Sequence, residues 1–330
     1  MKIRIVVGVS GIVVVLAMAN LFVSHAQQQA GNGAPPLSNP LDVALLKWYG
    51  VNRVPTTFSV GNQPYGVCFD GANVWIANAQ DGTLSKLRAN DGASLGTFSV
   101  GGGVYGVTFD GASIWASNLG GTVSKVRASD GKVLGTFQIG PTAGWMAFDG
   151  EAIWVPTAPS QGNGSVIKLR ASDGKNLGSF TVGVAPVAAA FDGADVWVTN
   201  ETSDLAGTVT KLRASDGAVL GTFKVGAMPI GIAFDGANIW TANQGDGSVT
   251  KLRASDGAVL GTFQAPGGPY GITFDGENIW VAGAPSIFEF RASDGKRLRV
   301  VNAPDNSTGI AFDGADIWVP MLNSKVVAKL

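Results

Sequence analysis

Most side chains here that could do chemistry stand in fixed settings. Asp70, Asp110, Asp149, Asp192, Asp235, Asp275 and Asp313 each follow a phenylalanine and precede a glycine, and Asp91, Asp130, Asp173, Asp216, Asp256 and Asp294 precede a glycine soon after an Arg-Ala pair. Together they are 13 of the 24 acidic residues, and turn geometry accounts for both sets. Asp accepts from backbone N–H groups just beyond it, and Gly takes positive φ without penalty. The DxDxDG-type spacing of a calcium loop is absent. Five further acids, Asp81, Glu201, Asp204, Asp246 and Asp305, have no such turn setting and are too scattered to define a metal site, so none is expected. Lys86/Arg88, Lys125/Arg127, Lys168/Arg170, Lys211/Arg213 and Lys251/Arg253 lie two apart, which places each pair on one face of a strand. With a net charge of −1 they read as a solvated rim balanced by the turn aspartates rather than a belt for nucleic acid.

Nucleophilic chemistry has little to draw on. Cys68 is the single cysteine, so no internal disulfide forms, and it reads as a small buried filler. His25 is the single histidine and falls in a segment patterned like a secretory signal. Lys2 and Arg4 form its basic start, residues 12–19 its apolar run, and Ser24-His25-Ala26 its cleavage site. Cleavage after Ala26 leaves a chain without histidine, which excludes Ser-His and Cys-His pairs and His-ligated zinc. Residues 5–23 are almost long enough to span a bilayer. A retained anchor is therefore the alternative, and membrane attachment is expected only in that case.

The elements that position these residues come from a repeat. FDGANIW at Phe234 recurs at Phe69, Phe109, Phe148, Phe191, Phe274 and Phe312, with successive spacings of 40, 39, 43, 43, 40 and 38 residues. In one copy GIAF, IWTAN, VTKLRA and VLGTF are short, apolar and β-prone, separated by the turns DGAN and SDG and the loop QGDG. Four short strands per copy in seven copies predict an all-β, seven-bladed β-propeller. The last copy ends after its third strand, SKVVAKL, without a fourth, and TTFSV at 56–60 matches GTFSV at 96–100. The N-terminal strand 56–60 is therefore expected to complete the last blade and hide two sheet edges. Seven of the nine tryptophans are repeat residues, and stacking between blades accounts for them. The expected organisation is a signal over 1–26, a linker with a short helix about 40–49, and the propeller over 56–330. Asn39 caps that helix, Pro40 opens it and Gly50 ends it, with Leu41, Ala44, Leu45 and Trp48 on one face.

Both Asp-Gly turns lie at one end of the strands and hardly change, whereas the loops at the other end differ from copy to copy. APSQGNG, ETSDLAG, NQPYG, GGVYG, PTAGW and GGPYG all belong to that variable end. Three tyrosines, Tyr65, Tyr105 and Tyr270, share the slot that enters the innermost strand, and Trp145 lies within one residue of it. Blades four, five and seven place Val187, Ile230 and Thr308 there. In a ring, those four aromatics gather on one side of the channel mouth. Such rings stack on sugars, aromatic ligands or a peptide. Filling the funnel is the plainer role.

The repeat IWTANQGDGSVTKLRASDGAVLGTFQAPGGPYGITFDG resembles the bacterial extracytoplasmic YVTN/NHL-type 40-residue propeller repeats, over residues 56–330. That resemblance implies the propeller and an extracytoplasmic address but no single activity. More distantly the chain resembles streptogramin B lyase-type propellers, which implies a channel-mouth histidine and magnesium-binding acids. The histidine has no counterpart after Ala26. RASDGKVLG is similar to part of a quinoprotein repeat, but Gly135 stands where that repeat has tryptophan. No cofactor is expected. The expected function is a monomeric, exported binding scaffold that holds an unidentified protein or glycan through Tyr65, Tyr105, Trp145 and Tyr270, with no nucleic acid. The alternatives are a metal-dependent lyase or lactonase at the channel mouth and a purely structural surface repeat protein.

Overall fold

A computed structural model describes residues 55–202, 207–303 and 305–330. The expected signal, linker and helix, and Asp204, lie outside the described residues. Seven sheets of four antiparallel strands form the blades, and in six of them the strands follow one another in sequence. The seventh joins Thr56–Ser59 to Val326–Lys329, Ile317–Met321 and Ala311–Phe312. Its register, Thr56 opposite Lys329 through Ser59 opposite Val326, is the closure the sequence predicts.

Each turn aspartate does more than shape its turn. Asp235 Oδ1 accepts from the Ala237 and Asn238 N–H groups at 2.9 and 2.6 Å, while Oδ2 accepts from the Trp240 indole at 2.7 Å. The indole bond recurs in all seven blades at 2.7–2.8 Å. Six of these tryptophans are fully buried, and Trp280 is 5% exposed. An apolar wall that buried cannot leave an indole N–H unpaired without cost. One aspartate thus ends the hairpin and satisfies the core.

The lysines overturn the expectation of a solvated rim. Lys86, Lys125, Lys211 and Lys251 are only 6–9% exposed. Each stands 4.9–5.3 Å over its own blade's tryptophan, as do Lys168 and Lys329. Each also donates at 2.6–2.8 Å to an alanine carbonyl of the next blade, from Lys86 to Ala128 around to Lys329 to Ala89. Two residues along, the arginines do behave as expected. Arg88 and its equivalents pair with Asp91 and its equivalents in the open, where such pairs contribute little.

The outer strand completes the interface. Its phenylalanine packs on its own blade's tryptophan at 5.4–5.7 Å between centroids, in six blades. The same ring covers the glycine of the next blade's second turn. Phe98 lies where a Cβ on Gly131 would stand, so Gly131 is required for closeness as well as for its φ of 75°. Blade six departs from the pattern. Glu289 replaces the lysine, Arg299 replaces the facing glycine, and the two pair at 3.0 Å with the guanidinium 4.8 Å over Trp280.

This reversed pair predicts a coupling. Glu289→Lys alone sets two cations together and should cost about 2–4 kcal/mol, whereas Glu289→Lys with Arg299→Gly should recover most of it. Urea unfolding of the two variants measures the difference, and additive losses would refute the pairing. The acid limb is set by the turn aspartates. Burial opposes the Asp70 charge, but hydrogen bonds from Trp75, Ala72 and Asn73 outweigh it and hold the carboxyl below the usual range. Asp91, Asp130, Asp216, Asp256 and Asp294 are held low first by the backbone N–H two residues on. A folded pKa below the unfolded one gives stability that is present above about pH 4 and lost as pH falls through the folded value. The urea midpoint should therefore stay level from about pH 8 to 5 and drop below about pH 4.

Candidate functional site at the channel mouth

A turn in the left-handed region builds the entry to the inner strand at the variable end. Gln63, Ala185 and Met228 have φ of 51°, 46° and 50°, and Gly103 and Gly268 hold the matching places at 69° and 67°. The carbonyl of that residue accepts from the backbone N–H just past the second strand. The pairs are Ala79 with Gln63, Leu119 with Gly103, Glu201 with Ala185, and Gln244 with Met228. A rim of equivalent positions results, and among Ala79, Leu119, Glu201 and Gln244 the acid belongs to blade four.

The acids expected near the mouth divide by role. Asp81 accepts from the Asn62 backbone and side chain at 2.7 and 2.6 Å, bonds that hold its carboxyl below the usual range. Asp246 accepts from Ala227 N–H and the Ser248 hydroxyl, and Asp305 from Asn323 and Ser324. All three tie loops together. The Glu201 carboxyl makes no hydrogen bond or ion pair among the described residues. Half-buried without one, its carboxyl is pushed above its ordinary pKa by desolvation. No group of three or more His, Cys, Asp or Glu side chains able to hold a metal occurs among the described residues. Cys68 packs into the wall between blades one and two, and burial pushes its thiol up. It is a partly buried filler of that wall.

Tyr65, Tyr105, Trp145 and Tyr270, from blades one, two, three and six, converge. Their centroids form a closed circuit of 4.7 Å from Tyr65 to Tyr105, 5.6 Å to Trp145, 5.4 Å to Tyr270 and 5.8 Å back to Tyr65. Tyr270 crosses the channel nearly perpendicular to Trp145 and Tyr65, at 71° and 69°. Its hydroxyl meets that of Tyr105 at 2.5 Å and that of Tyr65 at 3.1 Å. Glycine after the tyrosine permits the packing, since a Cβ on Gly106 would stand 2.6 Å from Trp145 Cδ1. Thr308 donates to the Tyr65 carbonyl at 2.9 Å and so fixes the first tyrosine across the closure. Beneath the rings lies a cavity of about 140 Å³, lined by Trp145 and by Val67, Val107, Met146, Ile272 and Ile310 among others.

Two polar groups at this cluster lack partners. Trp145 Nε1 is buried with none, unlike the seven repeat indoles. The other is the Glu201 carboxyl, whose charge adds to the rise in the Tyr105 pKa behind the larger effect of burial. The Tyr270 phenol is pushed up as well, by burial and then by the neighbouring Tyr105 and Tyr65. The sequence pointed to the four aromatics through their shared slot. It named Glu201 only as one acid among five.

No family model matches the chain, and no curated protein matches it in sequence. Among solved structures it is similar to the hydrazine synthase of Kuenenia stuttgartiensis, with a TM-score of 0.70 at 15% identity over 81% of this chain and 95% of that one. It is also similar to a streptogramin B lyase, with a TM-score of 0.68 at 19% identity over 84% and 96%. At such identities the likeness establishes the shared propeller fold. It does not carry either activity to this chain.

The buried phenols give a direct readout. Tyr105 and Tyr270 should stay protonated at about pH 11, where a free phenol with pKa about 10 is mostly ionised. Absorbance at 295 nm at that pH should show at least two fewer ionised tyrosines in the folded protein than after unfolding. Equal absorbance would mean that the cluster is open to water.

Proposed function

We propose that this chain is an exported binding propeller of the extracytoplasmic 40-residue-repeat kind, which holds a protein or glycan partner at the mouth of its variable face. One observation carries the reading. Four aromatics from four blades meet where the loops vary, half-buried rather than sealed, with a cavity beneath them. Clefts that join aromatic walls to a few polar groups are the usual form of a binding site. The orphaned Trp145 indole supplies a donor, and Glu201 an acceptor or charge.

Thermal-shift measurement against a glycan panel and candidate exported proteins tests this. A ligand at about one hundred times its dissociation constant adds about 2.7 kcal/mol, a shift of several degrees for a chain this size. Tyr105→Ala should abolish the shift, while Arg88→Ala, on the opposite end, should leave it. A shift that survived Tyr105→Ala would place the ligand elsewhere.

A second reading follows from the fold shared with streptogramin B lyase together with the desolvated Glu201, a group suited to proton transfer at the mouth. Magnesium-dependent turnover of streptogramin B, lost in Glu201→Gln, would establish it. Absence of turnover with and without magnesium would dispose of it.

A further inference from the structure

We propose that the channel mouth recognises a weakly hydrated organic cation, a quaternary ammonium or a guanidinium, through the faces of Tyr105 and Trp145 with Glu201 as its counter-charge. This rests on the reading of the mouth as a binding site and assigns the chemical class of what it takes.

Charge comes first. Elsewhere in the propeller, buried and partly buried charged side chains are met either by an opposite charge, as Lys211 by Asp195 at 3.0 Å, Lys329 by Asp316 at 2.9 Å and Glu289 by Arg299 at 3.0 Å, or by a backbone carbonyl, as Lys86, Lys125 and Lys251 are. Glu201 stands apart. It is half-buried, and its carboxyl has neither hydrogen bond nor ion pair among the described residues. A carboxylate so placed lacks a positive partner, and desolvation without one is unfavourable. Its charge helps to raise the Tyr105 phenol, behind the larger effect of burial.

The surroundings then select the kind of cation. The circuit Tyr65–Tyr105–Trp145–Tyr270 presents π-systems, whose faces attract cations, tryptophan most strongly. Blades four and five leave their side of the mouth without aromatics, with Val187 and Ile230 in the slot, and Glu201 belongs to blade four. A cation there lies between an acid on one side and ring faces on the other. An apolar, half-dehydrated setting disfavours small, strongly hydrated ions and suits a charge spread over methyl groups or a planar guanidinium. The propeller uses the same chemistry internally, with Lys251 5.1 Å over Trp240 and Arg299 4.8 Å over Trp280. There the protein supplies the cation. At the mouth it supplies the rings and the acid.

Isothermal titration calorimetry of the purified protein at fixed ionic strength tests this with three probes. Choline represents a free quaternary ammonium, N-acetylarginine amide represents a side chain of a protein partner, and 3,3-dimethyl-1-butanol is the uncharged isostere of choline. At least one cation should bind saturably and about tenfold or more tighter than the isostere. Glu201→Gln should weaken that cation at least about fivefold without lowering the melting temperature, because the acid has no partner in the fold to lose. Affinity should rise as pH climbs through the elevated pKa of Glu201, since only the ionised carboxylate attracts the ligand. Which cation binds identifies its source. An isostere as tight as choline, or binding unchanged in Glu201→Gln, overturns the inference while leaving a binding mouth in place. No saturation by either cation to about 50 mM also overturns it, and the glycan and protein panel then decides the broader reading alone.

Discussion

One hydrogen bond sets the terms for the rest of the structure, the indole N–H of each repeat tryptophan donated to the aspartate that ends the first hairpin. A propeller blade must bury a large apolar residue between sheets that touch mainly through side chains. Tryptophan does that best, but its N–H must then find an acceptor away from water. The turn aspartate is the acceptor already present, because the turn needs it. Once the ring is fixed, a lysine or arginine lies over it, and the outer-strand phenylalanine packs on it at a shallow tilt. Both of these reach the next blade. The lysine ends on an alanine carbonyl, and the phenylalanine covers a glycine.

This arrangement places all the repeated geometry at one end of the strands. Aspartate, glycine and alanine carbonyl all belong to the Asp-Gly turns. The opposite end needs only a left-handed residue to enter the inner strand and some means of tying adjacent loops. Several side chains meet that second need, such as Asn78 accepting from Gly61 N–H or Asp81 from Asn62. Loops at this end can therefore change without disturbing the blade interfaces. Tyr65 and Tyr105 sit at the second position of their inner strands and Tyr270 two residues before its own, where that freedom meets the fixed part of the blade.

The ring was legible in sequence because periodicity and the Asp-Gly punctuation act locally, and closure followed from one matched segment, TTFSV. Convergence of the four aromatics was legible for a related reason. In a ring, equal slots lie at equal radius, so a shared slot near the axis means contact. What escaped was anything that depends on what a face packs against. The Lys-Arg spacing places both side chains on one face, but it does not say that the lysine end lies under the neighbouring blade. Asp81 and Asp246 looked unoccupied because their partners, Asn62 and Ala227, lie 19 residues away in loops of no fixed length. Glu201 carried no signal beyond its charge, since its isolation is a property of its neighbours.

Whether the aromatic circuit only fills the funnel turns on what packing would leave behind. A plug should satisfy its own polar atoms, and the three phenols do so by sharing hydroxyls through Tyr270. Rings in mutual contact over a small cavity are also what a plug needs. A plug does not need a buried indole N–H without an acceptor, in a protein that pairs all seven repeat indoles with aspartate. Nor does it need an unpaired carboxyl on the rim of the same face, where the equivalent positions of blades one, two and five are Ala79, Leu119 and Gln244. Each of those two groups costs stability in the isolated fold. Their coincidence at one place, on the face where the loops vary, is the mark of a site whose polar demands are met from outside the chain.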